Sequence, residues 1–287
     1  NLKITHPQDD SVLKFSFKNN VSCLFRRSRG YAPNYLSADI SASETIMAMG
    51  ADLKSSIAFL PNEHLYVSQY LGNLENFDVY ERFIKETKSF VNIFEQQPEV
   101  VLVDKHPKYY SSQFGKEIAS EYKSKVYEIQ HHKAHFAAVL GEHNLLDENN
   151  VLGVVWDGTG FGDDGQIWGG EFFKYENKDI DRVSHFDYFS WIAGDKMSKE
   201  PRLSLLSIIE DEKLVEEKFS LEELSIYKTI KKNNKLKTSS IGRLFDAVAS
   251  VLNICDYNSY EGEAAILLEN RIAEYDLSSC KNYHPNF

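Results

Sequence analysis

Trp156–Phe172 reads WDGTGFGDDGQIWGGEF, and this stretch decides the fold. The apolar run Val151–Trp156 enters it as a strand, and Gln166–Tyr175 leaves it as another. Between them, Asp157–Gly165 is expected to form a glycine-rich turn. Glycines at 158, 160, 162 and 165 would let backbone N–H groups crowd an anion with no Cβ in the way. Asp157 closes the apolar strand, where a carboxylate can hold a metal or orient a water. The stretch is neither a dinucleotide GxGxxG ahead of a helix nor a Walker loop, because no Gly-Lys followed by Ser or Thr occurs in it. A plain Asp/Gly-rich hairpin loop is the alternative reading.

Upstream, the same order of strand, glycine turn and strand recurs. Thr45–Gly50 and Ser55–Leu60 flank Gly50–Lys54, and a third strand is expected near Leu65–Gln69. Phe77, Tyr80, Phe83, Ile84, Phe90, Val91 and Phe94 recur at three- and four-residue steps, a helix that Pro98 stops. Val100–Val103 and Val126–Ile129 read as strands, and Ser111–Tyr122 and His132–His143 as helices. Downstream, Arg182–Ser190 reads as a strand and Lys199–Ala273 as mostly helical. Strands alternating with helices argue α/β, and the recurrence suggests two similar halves. Near the N-terminus, Leu13, Phe15, Phe17 and then Val21, Cys23, Phe25 alternate around a turn, so a hairpin over 11–25 is expected, with Cys23 in the core. Arg26–Pro33 reads as a linker.

Composition narrows the partners. Thirty-two Lys and Arg against 43 Asp and Glu give a net charge of -11, and the basic clusters at 26–29 and 231–237 are too short for a nucleic-acid groove. No apolar run approaches the roughly 18 residues of a membrane span, and no signal peptide is expected. Cys23, Cys255 and Cys280 form no CxxC pair, which points to a reducing cytoplasm.

The second chemical constellation is Gln130–His135, QHHKAH. On a helix, His131 and His135 at i and i+4 could aim two imidazoles at one metal. No Glu follows the first His, so this is not the zinc-protease HExxH, and a capping or surface cluster is the alternative. Gly169-Gly170-Glu171 marks either a close backbone approach to a ligand or a β-bulge. Lys196 and Arg202 could offer charge to an oxyanion or be solvated loop charges. Gly242–Asp246 and Tyr260–Ala265 read as helix starts.

The strand–turn–strand grip is similar to that of the actin/sugar-kinase/heat-shock ATPase superfamily. Within it, RRSRGYAP (26–33), MGADLK (49–54), SQYLGNLEN (68–76), VDKHPKYYS (103–111), QHHKAH, the 156–172 stretch, GDK (194–196), GRLFDAVA (242–249) and YEGEAAILLE (260–269) together resemble HypF, the carbamoyltransferase family of nickel–iron hydrogenase maturation. The resemblance implies a two-half TsaD-like α/β fold. It places the tail of a YrdC-like domain at 1–30, a linker at 31–44, the first half at 45–150 and a truncated second half at 151–287. It implies His131, His135 and Asp157 as ligands of iron or zinc, and Gly158, Thr159, Gly160, Gly162, Asp164 and Gly165 as a phosphate-binding loop with Gly50 and Lys54 as its counterpart. Lys196 and Asp163 become the catalytic candidates. The implied substrates are carbamoyl phosphate and ATP with Mg2+, joined as carbamoyl-adenylate, and the implied acceptor is the C-terminal cysteine of HypE in the cytoplasm. Where the family pattern has GDL, this chain has Gly72-Asn73-Leu74. The competing expectations are a fragment that only docks HypE or the missing domains, which carries little activity of its own, and an ATPase or kinase of the same superfamily.

Overall fold

The computed structural model describes residues 6–36, 40 and 42–273. Cys280, the middle of the expected linker and the last residues of the expected second half lie outside the described residues. The chain divides into two compact units, Asn1–Glu148 and Asn149–Phe287.

The first unit opens with β1 (Val12–Ser16) and β2 (Val21–Arg26), an isolated antiparallel hairpin. Its alternation was read as one buried face, and the structure corrects this: Phe17, Val21 and Phe25 are exposed, and so is Cys23. Alternation says which residues share a side, not whether anything packs against it. Residues 26–33 are also no loose linker. The Arg27 guanidinium donates to the carbonyls of Val67, Tyr31 and Asn34, while Ser28 and Ala32 are buried.

A six-stranded sheet follows, built from β3 (Tyr35–Leu36), β4 (Ile46–Ala48), β5 (Ala58–Leu60) and β6 (Leu65–Val67), then β7 (Val100–Asp104) and β8 (Lys125–Ile129). Its order is β3-β6-β5-β4-β7-β8, with β4, β7 and β8 parallel and the others antiparallel. Helix α1 (Phe77–Phe94) starts where the Asn76 side chain accepts from the N–H groups of Asp78 and Val79, and ends at Glu95 in the left-handed region. Its buried Phe83, Phe90 and Val91 meet Met47, Ile57 and Phe59 of the sheet side and Phe114 and Ile118 of α2 (Tyr110–Tyr122). Helix α3 (His131–Glu142) leaves β8 directly.

Gly115 of α2 is where that core is tightest, since a Cβ there would lie 2.5 Å from Val103 Cγ1 and 2.8 Å from Met49 Cγ. Gly115→Ala is therefore expected to lower stability by about 1–3 kcal/mol, despite alanine's better helix propensity. An unchanged denaturation midpoint would show that the core has more slack than this contact implies.

The second unit begins with β9 (Val151–Phe161), β10 (Ile167–Glu176) and β11 (Asp179–His185), an antiparallel meander. Then come β12 (Phe189–Ser190), α4 (Lys196–Lys199), α5 (Pro201–Ile208), α6 (Glu212–Glu216), α7 (Leu221–Asn233), β13 (Lys237–Thr238), α8 (Ile241–Val251) and α9 (Glu263–Ala273). Strand β13 runs parallel to β10 and antiparallel to β12. Trp191, Ile192, Met197, Leu203, Leu206, Leu224 and Ala247 form the buried core beneath α5, α7 and α8. A capping box between Ser220 and Glu223 starts α7. No helix among the described residues is long and apolar enough to cross a membrane.

Candidate functional site

The chemistry-bearing residues lie in both units, and each unit holds its own cluster. In the first, Gln130 caps α3, its side-chain oxygen accepting the Lys133 N–H at 2.9 Å. That start places His131 and His135 one turn apart, with their Nε2 atoms separated by 3.2 Å. His131 Nδ1 lies 2.9 Å from Asp104 Oδ2, and the side chains of the two are 18% and 7% exposed. Asp104 is the last residue of β7, and its other oxygen accepts the His106 N–H at 2.7 Å. The carboxylate therefore holds the His131 proton on Nδ1 and leaves the Nε2 lone pair directed toward His135. Two nitrogens bound at about 2.0–2.1 Å in a tetrahedral site sit about 3.3 Å apart, so the pair fits a zinc-like or iron-like ion. His132, between them in sequence, is fully buried and belongs to the interior.

Asp104 escaped the reading of the sequence. The signal was present, since an aspartate closing an apolar strand was the argument applied to Asp157. Burial lowers the pKa of nearby His106, and its ring stacks on Tyr109 with centroids 4.1 Å apart.

On the same unit, the turn at Gly50–Lys54 is anchored at two points. Asp52 accepts the N–H groups of Tyr110 and Ser111, both at 2.9 Å, so its carboxylate caps α2. Asn73 Oδ1 accepts the Lys54 N–H at 3.0 Å, so the residue that departs from the family pattern still supplies an acceptor. Gly50 and Lys54 both have positive φ, 65° and 53°. A Cβ at Gly50 would lie 2.6 Å from the Ser56 carbonyl oxygen.

In the second unit the glycine stretch differs from expectation. Asp157, Gly158, Thr159 and Gly160 belong to β9, Gly160 pairs with Trp168 of β10, and only Gly162–Gly165 make the turn. Glycine's preference for turns is overridden because α8 packs on this strand. Ser240 Oγ donates to the carbonyl oxygens of Asp157 and Gly158, and a Cβ at Gly242 would approach Gly158 Cα to 3.1 Å. Asp157 Oδ1 accepts the Gly158 N–H at 2.6 Å.

The tip uses several of its own N–H groups. Gly162 N donates to the Gln166 carbonyl, Gly165 N to the Gly162 carbonyl, and Gln166 N to Asp164 Oδ1. Asp163 is exposed at the tip. Gly169 and Gly170 mark a bulge and a close backbone approach, that of Ser239 and Ser240 rather than of a ligand.

Lys196 starts α4. Its ammonium donates to the Tyr227 hydroxyl at 2.5 Å and pairs with Glu200 at 3.2 Å, and these partners raise its pKa. It is a cation at neutral pH, suited to steadying negative charge rather than to accepting a proton. Arg202 is an interior tie: it is 4% exposed and bonded to Glu200 and Glu223.

Two family models match the chain. "HypF Kae1-like domain" covers residues 41–142, and "Carbamoyltransferase, Kae1-like Domain, second subdomain" covers 153–286. The carbamoyltransferase HypF of Synechocystis sp. is 32% identical over 294 residues, covering 94% of this chain and 37% of that protein. A probable carbamoyltransferase HypF of Methanocaldococcus jannaschii is 33% identical over 285 residues, with 94% and 36% coverage. A crystal structure of full-length HypF in the phosphate- and nucleotide-bound form superposes with a TM-score of 0.80 at 32% identity, covering 91% of this chain and 34% of that one. The crystal structure of T. kodakarensis HypF gives 0.84 at 30% identity, covering 94% and 37%. The chain thus spans little more than a third of the length of these relatives.

Proposed function

The chain belongs to the HypF carbamoyltransferase family, with the Kae1-like α/β fold of its solved relatives, and we propose that it carries the step that moves a carbamoyl group to a protein thiol. The donor is carbamoyl-adenylate, made from carbamoyl phosphate and ATP with Mg2+, and the acceptor is the C-terminal cysteine of HypE in the cytoplasm. The thiolate attacks the carbamoyl carbon, the bond to the adenylate phosphate oxygen breaks, and AMP leaves with the electron pair. The thiol proton goes to solvent. The observation that carries the reading is the His131–His135 pair, two imidazole nitrogens 3.2 Å apart with Asp104 behind them.

His131 and His135 are the proposed protein ligands, with Asp157 the third by family resemblance. A bound iron or zinc ion would supply Lewis-acid polarisation of the carbonyl. The hairpin Gly158–Gly165 and the Gly50–Lys54 turn are the proposed holders of the nucleotide phosphates, supported by the positive φ of Gly165, Gly50 and Lys54 and by the nucleotide-bound relative. Lys196 and Asp163 are proposed to act on charge developing at the transferred group. Domain limits at 1–30, 31–44, 45–150 and 151–287 follow the same reading.

The test supplies carbamoyl-adenylate and HypE and follows the mass of the HypE C-terminal peptide. One added carbamoyl group, abolished by His131→Ala with His135→Ala, is expected. Unmodified HypE with the metal-loaded protein would sink the proposal.

A further inference from the structure

Behind the glycine hairpin lies a chain of side chains that reaches from a buried carboxylate to the tip. Glu171 is fully buried. Its Oε1 accepts the N–H groups of Gly169 and Gly170 at 3.0 and 3.1 Å and the Ser239 hydroxyl, and its Oε2 accepts Arg182 Nε. The Arg182 guanidinium lies 3.9 Å above the Trp168 ring and donates to the Tyr188 hydroxyl at 3.0 Å. Tyr188 in turn donates to Asp164 Oδ2 at 2.6 Å, and Trp168 Nε1 donates to Asp164 Oδ1 at 2.9 Å. Gly162 lies against the same indole, since a Cβ there would come within 2.2 Å of Trp168 Nε1. The tip is therefore held at two points, Gly162 and Asp164, by residues of β10 and of β11 and its following loop.

We propose that Trp168, Arg182 and Tyr188, seated on Glu171, are positioning residues that preset Gly162–Gly165 for a nucleoside phosphate, and that Asp164 is the handle they hold rather than a ligand contact. The inference rests on the phosphate reading of the hairpin. Its physical basis is that a tip fixed before binding avoids the ordering entropy a loose glycine loop would lose with the ligand. Charge supports it. Burial alone would raise the carboxyl of Glu171, yet its hydrogen bonds outweigh this and hold it below the ordinary range. Asp164 is likewise lowered, its bonds from Tyr188, Gln166 and Trp168 outweighing burial, so the tip keeps its anionic handle at neutral pH.

The test compares Tyr188→Phe, Asp164→Asn and wild type in two measurements. One is amide hydrogen exchange at 162–165 against 172–176, and the other is Mg-ATP affinity by calorimetry. Both variants are expected to speed exchange at the tip about tenfold without changing 172–176, and to weaken Mg-ATP about five- to tenfold. Asp164→Asn alters a half-exposed side chain and keeps the protein folded if Tyr188→Phe does not. Tip exchange equal to wild type in the folded variants overturns the proposal, as does faster exchange with unchanged Mg-ATP affinity. Faster tip exchange in a protein whose wild type binds no Mg-ATP supports the anchoring and sinks the phosphate reading alone.

Discussion

Replacing Asp104 by asparagine lowers the affinity of the histidine pair for zinc or ferrous iron by about ten- to a hundredfold, the range typical of a lost carboxylate behind a ligating histidine. The carboxylate 2.9 Å from His131 Nδ1 does two things: it fixes the tautomer with Nε2 as the lone-pair nitrogen, and its charge makes that lone pair more basic. Asparagine can still accept the His106 N–H with its carbonyl oxygen, so the local backbone survives. What it lacks is negative charge and a second acceptor: its NH2 then faces His131 Nδ1 and favours the tautomer with the proton on Nε2. Metal content after dialysis against a chelating dye at fixed pH reads the effect, with His131→Ala as the full-loss reference. Equal affinity in wild type and Asp104→Asn would mean that the hydrogen bond is structural and the pair takes its orientation from α3 alone.

The second large effect is on stability. Arg202→Leu is expected to destabilise the second unit by about 3–5 kcal/mol, the cost of breaking a buried, hydrogen-bonded pair from one side. The guanidinium donates from Nε and Nη2 to the same Glu200 oxygen, Oε2, at 3.0 and 2.9 Å, is bidentate to Glu223 at 2.8 and 3.2 Å, donates to the Lys218 carbonyl at 2.8 Å, and lies over the rings of Phe219 and Tyr257. Leucine refills part of the volume but takes the guanidinium from a largely buried Glu200, which keeps only Lys196 as an ion-pair partner. Arg202→Lys should recover only part of the loss, because an ammonium cannot bond both carboxylates in this planar geometry.

The variant also carries a pH signature. Hydrogen bonds from Arg202 and from the Ser220 N–H hold the Glu223 carboxyl down at about 2. A depressed carboxyl contributes stability that is present above its unfolded pKa, near 4.3, and is lost as pH falls toward the folded value. Thermal melts between about pH 5 and pH 2 should therefore converge for wild type and Arg202→Leu. Parallel curves across that window would show that Glu223 takes no part in the effect.

Much of the fold was legible because its signals are local. The apolar steps of Phe77–Phe94, the strand at Val100–Asp104 and the i,i+4 spacing of His131 and His135 all express periods of a few residues, which the backbone geometry enforces anywhere. The ordered motifs from 26–33 to 260–269, taken together, were also enough to name the family that the relatives bear out. Two local readings went astray for reasons outside their windows. Asp157–Gly160 stayed in strand because Ser240, which caps α8, and Gly242 of α8 close over it, and the alternating hairpin at 12–26 met no covering layer among the described residues.

What only the tertiary structure decided is which polar groups serve the site and which serve the scaffold. Asp104 reaches His131 across 27 positions, Asp52 reaches Tyr110 across 58, and Lys196 reaches Tyr227 across 31. Composition determined that the chain is acidic, the alternation of strand and helix periods that it is α/β, and spacing where its imidazoles and glycines gather. The partners of each charge depend on sheet register and on how helices pack back onto strands, long-range terms that no window of a dozen residues contains.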